Sequence, residues 1–382
     1  MNIDWWSKMD SNVSYRFFWF CLRLLGVAEF RYKALARFYV ICLTLFGTIY
    51  YPIHLLRGLL VLSVAEDFFK NFFMTLTTLV CSFKYFFLRL NLKNIRRVTK
   101  IYSELDKRAT TADESKYFIL RHQERADLIM KMFFLIYLGT NSFAIISVIV
   151  DEQQRLMFPA WFPFDWKSSS TLYWSALLYQ FIGSNILIIQ NFVNDTVCPV
   201  SLCLLSGHVH LLTMRVARIG YNKRKSQQYH ENELRLCIED HLKLLEAFKL
   251  LESSLSSAQL ILYITSGLNT CVVIINLLFY SQSFYEYLYY VAFLFAITIE
   301  LFPCYYYGNM LQEEFKQLPY AVFSSNWIEQ SRSYRQDCII FTEMALRSLT
   351  MLAGGIVEIN LNSFFAICKT AYSLFAVILT MK

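Results

Sequence analysis

The sequence predicts an all-α membrane protein with seven transmembrane helices, its N-terminus cytoplasmic and its C-terminus extracellular. Three observations lead there. Of 382 residues, 56% are hydrophobic and only 17% are charged, whereas a soluble domain carries about 25% charged residues. Seven apolar segments stand out, near 35–56, 70–90, 131–150, 172–200, 257–281, 287–307 and 338–381. A run of about 18 or more apolar residues can cross the hydrocarbon layer as a helix. Lys and Arg alternate between the connecting stretches. The stretches up to Arg37, 89–131, 215–250 and 308–336 hold 28, and the other three hold 4. Positive residues are retained in the cytoplasm, which fixes the orientation.

The same composition excludes other classes. With 17% aromatic residues and few Gly or Pro, the chain is neither disordered nor collagen-like. Its ten cysteines lie in spans or on the inner side and read as reduced thiols, so it is no disulfide scaffold either.

The first residues mix charges and aromatics (Asp4, Trp5, Trp6, Lys8, Asp10, Arg16, Phe17, Phe18, Trp19). That is not the basic–apolar–small pattern of a secretory signal. It reads as an amphipathic helix on the inner membrane surface. The second span carries Lys84 and the fourth Asp195, both in inner halves. They can pair, which lowers the cost of each charge, or Lys84 can reach the inner headgroups. Glu300 in the sixth span reads as structural.

Between spans four and five, Glu231, Leu234, Cys237, Ile238, His241, Leu242, Leu245, Phe248 and Leu251 recur at helical spacing. The fourth and fifth helices are therefore expected to run on into the cytoplasm. There they form either surface helices or a packed subdomain. Asn12-Val13-Ser14 and Asn194-Asp195-Thr196 match the glycosylation sequon, but one is cytoplasmic and the other lies within a span.

Catalytic and metal patterns are missing. There is no Gly-rich phosphate loop, no His-Glu-x-x-His and no paired Cys-x-x-Cys. His208 and His210 lack a third ligand. Basic runs such as Lys223-Arg224-Lys225 face the anionic inner leaflet and do not support nucleic-acid binding. The chain reads as no enzyme and needs no cofactor or metal. A G-protein-coupled receptor has the opposite orientation, and the outer loops here contain no cysteine for the usual disulfide to the third span. A secondary transporter would show repeats and Gly/Pro-broken helices at midplane.

The last segment carries most information. At 100° per residue, Ala366, Thr370, Ser373, Val377 and Thr380 or Met381 form one stripe of small or polar side chains ending around Val377. The rest of the helix presents Phe364, Phe365, Ile367, Leu374, Phe375, Ile378 and Leu379. Such a stripe faces another helix or water. In the second case it is a pore wall with Val377 as a hydrophobic constriction that gates by dewetting. One helix encloses no pore, so that reading requires an oligomer with this helix at its axis. Lys369 lies about 80° off the stripe.

Several motifs resemble those of insect odorant receptors. Glu300-Leu301-Phe302-Pro303-Cys304-Tyr305-Tyr306-Tyr307-Gly308-Asn309 resembles the end of their sixth span, and Ala321-Val322-Phe323-Ser324-Ser325-Asn326-Trp327 the element that follows. Ala353-Gly354-Gly355, Leu361-Asn362-Ser363-Phe364 and Lys369-Thr370-Ala371-Tyr372-Ser373-Leu374-Phe375 resemble their closing signature. The outer loop Phe158-Pro159-Ala160-Trp161-Phe162-Pro163-Phe164-Asp165 fits as well. The sister gustatory family ends in a Gln-Phe pattern that this chain lacks.

The resemblance implies an odorant-gated, non-selective cation channel in the plasma membrane, at the dendrite of an olfactory sensory neuron. It implies a heterotetramer with a common co-receptor and the last helix lining the central pore. The stretch between spans four and five lacks the co-receptor's long insert, so the chain resembles an odour-specific subunit. By position, Val377 matches the gate, and Thr380 stands where the co-receptor carries Gln. Two units are expected: 1–307, with spans one to six and the ligand pocket, and 308–382, with a cytoplasmic anchor segment and the pore helix.

The pocket that the family implies lies among outer halves of spans two, three, four and six. Here these offer Phe72, Phe73 and Leu76; Thr140, Phe143, Ala144 and Ser147; Tyr173, Leu177 and Phe181; and Tyr287, Tyr290 and Phe293. An aromatic wall with few polar groups suits a small, neutral volatile, aromatic ones included. Membrane lipids and permeating cations complete the expected partners.

Overall fold

Hydroxyl side chains mark where helices begin. Thr111 accepts a hydrogen bond from the Glu114 amide, Ser169 from Leu172, Ser226 from Tyr229 and Ser331 from Tyr334. Each satisfies an amide that the helix itself leaves unpaired, contributing about 1 kcal/mol. In this computed structural model, residues 9–27, 33–61, 65–150, 154–280, 284–347 and 349–380 are described. The helices are α1 (Arg16–Leu24), α2 (Lys33–Leu43), α3 (Tyr51–Val61), α4 (Ala65–Asp106), α5 (Ala112–Phe118), α6 (Glu124–Ile149), α7 (Ser170–Arg218), α8 (Gln227–Ile275), α9 (Phe284–Ser324), α10 (Arg332–Ala345) and α11 (Leu361–Thr380). Wide π-type turns join α2 to α3 and α5 to α6.

Among the described residues, five helical stretches are long and apolar enough to cross a membrane: Arg37–Val61, Ala112–Ile146, Ser170–Arg218, Gln227–Phe279 and Tyr290–Ser324. A shorter apolar helix covers Leu361–Val377. The apolar segment at 70–90 lies inside the 42-residue α4, whose second half is strongly charged. Helices α7 and α8 each run for 49 residues, well past their apolar parts.

The central element is α7. Its most apolar window is 83% buried inside the protein. It contains Pro199, and α9 contains Pro303 and Pro319. Proline removes one backbone hydrogen bond, which neighbouring helices make tolerable in a packed bundle.

Packing differs between the two ends of the bundle. At the Lys/Arg-rich end, one continuous core joins α1, the second half of α4, α7, α8, α9 and α10. Phe18, Tyr102, Leu204, Leu234, Tyr305, Tyr334 and Phe341 are all buried within it. The positions Leu234, Cys237, His241, Phe248 and Leu251 form the inward face of α8, so the packed-subdomain expectation is the one the structure adopts. Buried ion pairs tie this end together. Arg215 reaches Glu114 at 3.0 Å and Asp240 at 3.4 Å, and Arg108 reaches Asp240 at 3.1 Å.

A small hairpin precedes the last helix. Leu352–Ala353 pairs antiparallel with Val357–Glu358. Gly354 and Gly355 turn between them with φ of 61° and 72°, a left-handed conformation that side chains disfavour. Close approach explains a third glycine. A Cβ on Gly308 of α9 would come within 2.2 Å of the Ile359 carbonyl oxygen, so only glycine lets the hairpin's exit lie against α9.

At the opposite end, apolar residues gather in small separate clusters. The space between them is the cavity described next.

Candidate ligand cavity and last helix

A cavity of about 1370 Å³ opens between α4, α6, α7, α8 and α9 in the half away from the packed core. The segment 154–160 closes it on one side, with the Met157 amide donating to Gln180 Oε1 and Gln180 Nε2 donating to the Phe158 carbonyl. Its volume exceeds that of the clefts, roughly 300–1,000 Å³, that hold drug-sized ligands.

Of the expected pocket residues, Thr140, Ala144, Tyr290 and Phe293 stand on the cavity wall. Tyr290 is buried against Val273 and Leu277. Tyr173 and Leu177 lie apart from that wall, in a cluster with Val148, Leu156 and Ala176 that seats the α6–α7 connection. Phe181 and Tyr287 are exposed on the chain's outside. Phe72 stacks on Phe68, and Leu76 is half-buried. The side chains of Phe73, Phe143 and Ser147 lie outside the described residues.

Sequence reasoning missed the wall supplied by α8. Ser266, Asn269 and Val273 line the cavity from that helix, and Asn276 from the wide turn that continues it. A signal existed, since three of these four residues are polar and their spacing of three, four and three keeps them on one face.

It also understated the charged end of the cavity. Lys84 Nζ meets Asp195 Oδ1 at 2.6 Å, so the pairing alternative holds and Lys84 does not extend to the headgroups. The Tyr137 hydroxyl donates to the other Asp195 oxygen at 2.7 Å. Glu300 Oε1 stands 3.6 Å from the same ammonium. Four helices thus meet in one polar knot: α4, α6, α7 and α9. Lys84, Tyr137 and Glu300 all line the cavity.

The last helix packs through a narrow seam. Phe364 and Ile367 are buried against the body of the chain, with Phe364 meeting Phe302 and Tyr305. Ala366, Thr370, Ser373 and Val377 are all exposed, Val377 at 55%. Thr370 turns its hydroxyl back to the Ala366 carbonyl at 2.9 Å. The Thr380 side chain and all of Met381 lie outside the described residues. Among the described residues, no group of three His, Cys, Asp or Glu side chains could hold a metal ion.

A bundle of long helices with a large, mainly apolar cavity at one end defines a membrane-embedded binder of small molecules. The comparisons narrow that class. The family described as 7tm Odorant receptor matches residues 65–372. Odorant receptor 33b of Drosophila melanogaster is 35% identical over 96% of this chain and 97% of its own length. Odorant receptor 33a of the same organism is 35% identical over 98% of both. The insect olfactory receptor OR5 from Machilis hrabei superposes with a TM-score of 0.84 at 17% identity, covering 96% of this chain and 97% of that one. Its complex with eugenol superposes at 0.80. The chain belongs to the insect odorant receptor family, whose members are ligand-gated channels and not enzymes.

Proposed function

We propose that this chain is an odour-specific subunit of a cation channel, gated by a small volatile that binds in the cavity between α4, α6, α7, α8 and α9. The cavity carries the reading: about 1370 Å³ of largely apolar space, bounded on one side by the segment 154–160 and walled by Tyr290, Phe293, Thr140 and Ala144. Burial of an apolar ligand there contributes about 25 cal/mol per Å² removed from water. The related OR5 has been captured with eugenol, which supports a small volatile as the ligand class.

In this reading seven helices cross the plasma membrane of the neuron's dendrite, with the basic end cytoplasmic and the C-terminus outside. Residues 1–307 sense the ligand. Residues 308–382 provide the anchor and the pore helix. The outward face of α11, with Ala366, Thr370, Ser373 and Val377, lines a central pore for cations in a heterotetramer with the co-receptor, and Thr380 and Met381 continue that stripe in the sequence. The exposure of the first four supports that placement, and Val377 is the constriction. Gating is a population shift: the odorant favours the open arrangement only as far as it binds that state more tightly.

The test is patch-clamp recording from cells expressing the chain with and without an insect co-receptor, against a broad volatile panel. Odour-evoked cation current that requires the co-receptor is expected, and Tyr290→Ala or Phe293→Ala shifts its concentration response. An unchanged response in both variants contradicts the site.

A further inference from the structure

The cavity's charged end contains one carboxyl group, Glu300, to which no described hydroxyl or amide donates. Asp195 is saturated: Lys84 occupies one oxygen at 2.6 Å, Tyr137 the other at 2.7 Å, and its side chain is 1% exposed. Glu300 differs. Its one ion pair among the described residues is the longer 3.6 Å contact to Lys84, and its side chain keeps 26% exposure on the cavity wall. No described hydroxyl or amide donates to it. Two carboxylates therefore share one ammonium, and the more loosely held one faces the ligand space.

A second, independent set of groups points the same way. Thr78 on α4, Asn141 on α6 and Ser266 on α8 also line the cavity. Each is at most 8% exposed, yet none of their side chains has a hydrogen-bond partner among the described residues, and their polar atoms are not sealed off by protein. Buried polar groups are ordinarily paired, so groups of this kind around one space mark where a polar guest or water sits.

We propose that the cavity selects a neutral, hydroxyl-bearing volatile, an alcohol or a phenol. Its O–H donates to the Glu300 carboxylate and its oxygen accepts from Asn141, Thr78 or Ser266. The choice follows from hydrogen-bonding capacity. A carboxyl oxygen accepts, whereas hydroxyl and amide groups also donate. A hydroxyl answers both needs. An ether offers nothing to Glu300. An ammonium can donate to Glu300 but brings no acceptor for the three groups to donate to, and it gives up its hydration on entering apolar space. This inference rests on the cavity being the odour site.

The test uses the full chain with an insect co-receptor. Current is recorded for hexanol, octanol, benzyl alcohol and phenol, and for the methyl ether, hydrocarbon and amine of each skeleton. The hydroxyl compounds are expected to act at concentrations about tenfold or more below their ethers and hydrocarbons, as for a hydrogen bond to a charged group. Glu300→Leu abolishes that preference, and Glu300→Gln, which keeps an acceptor, retains part of it. Surface labelling checks that both variants reach the membrane, and the alcohol-to-ether ratio of the unaltered chain needs no variant. Ethers or amines matching the alcohols, or a preference surviving Glu300→Leu, overturns the inference while leaving odour gating intact. Silence toward the whole series and toward a broad volatile panel, with labelled subunits at the surface, overturns the odour-gating reading and this inference with it.

Discussion

The two ends of this bundle are built from the same helices yet differ in kind. At the basic end, α4, α7, α8 and α9 close on one another around a continuous core with buried ion pairs. At the other end they separate around a cavity, and apolar contacts break into small clusters. A close-packed interior transmits strain and resists change, whereas a region of few packed contacts is free to adopt alternative arrangements. On the proposed function, the contrast gives holding to one end and responding to the other. The polar knot of Lys84, Asp195, Tyr137 and Glu300 sits at the junction, where ligand contacts would be felt by four helices at once.

The largest expected effects lie in the packed end. Arg215→Met takes the close partner from the buried Glu114 carboxylate and leaves Asp240 with Arg108 alone, a loss of about 3–5 kcal/mol that shows as little folded receptor at the cell surface. Phe341→Ala removes a fully buried ring from the same core and costs about 3–5 kcal/mol. The equivalent truncation at the cavity, Phe293→Ala, removes a ring that is only half-buried and borders the cavity. It should cost about 1 kcal/mol or less and instead move the odour concentration response. Equal losses of thermal stability for the two truncations in detergent would erase the distinction between the ends.

Next in size, Gly308→Ala pushes a methyl into the Ile359 carbonyl and costs about 1–3 kcal/mol by overpacking. Its signature is displacement of the hairpin and α11, read as altered basal leak.

The smallest effect is visible only with pH. His241, in the packed end and outside the apolar segment 257–281, touches Phe315 and Phe341, and neither ring nitrogen has a partner among the described residues. Burial pushes its pKa down to about 4. The unfolded chain binds a proton below about 6.5 while the folded one does not, so stability falls as pH drops from 6.5 toward 4. His241→Leu should leave neutral-pH stability unchanged or raised and flatten that acid limb of melting temperature against pH.

Much of the packed end was legible in the sequence. The spacing of Leu234, Cys237, His241, Phe248 and Leu251 encodes a helix with one buried face. Lys84 and Asp195 were placed at comparable depth by counting residues along their spans. The cavity was less legible. Thr140, Ala144, Tyr290 and Phe293 reach its wall, but Tyr173 and Leu177 pack beneath a connection instead. Helical periodicity says which residues share a face and not which neighbour that face meets. In a chain with 34 Phe and 25 Tyr, aromatic content also fails to separate a pocket from ordinary packing. The α8 wall escaped notice because its signal is three polar residues, Ser266, Asn269 and Asn276, set in an apolar stretch.

The most direct test of the account is whole-cell current evoked by volatiles in cells expressing this chain with an insect co-receptor, compared between the unaltered chain and Phe293→Ala. The account predicts a ligand-evoked, co-receptor-dependent cation current whose half-maximal concentration shifts in the variant while surface abundance stays the same. A current with an unshifted response, or none at all from receptors demonstrably at the surface, would contradict it.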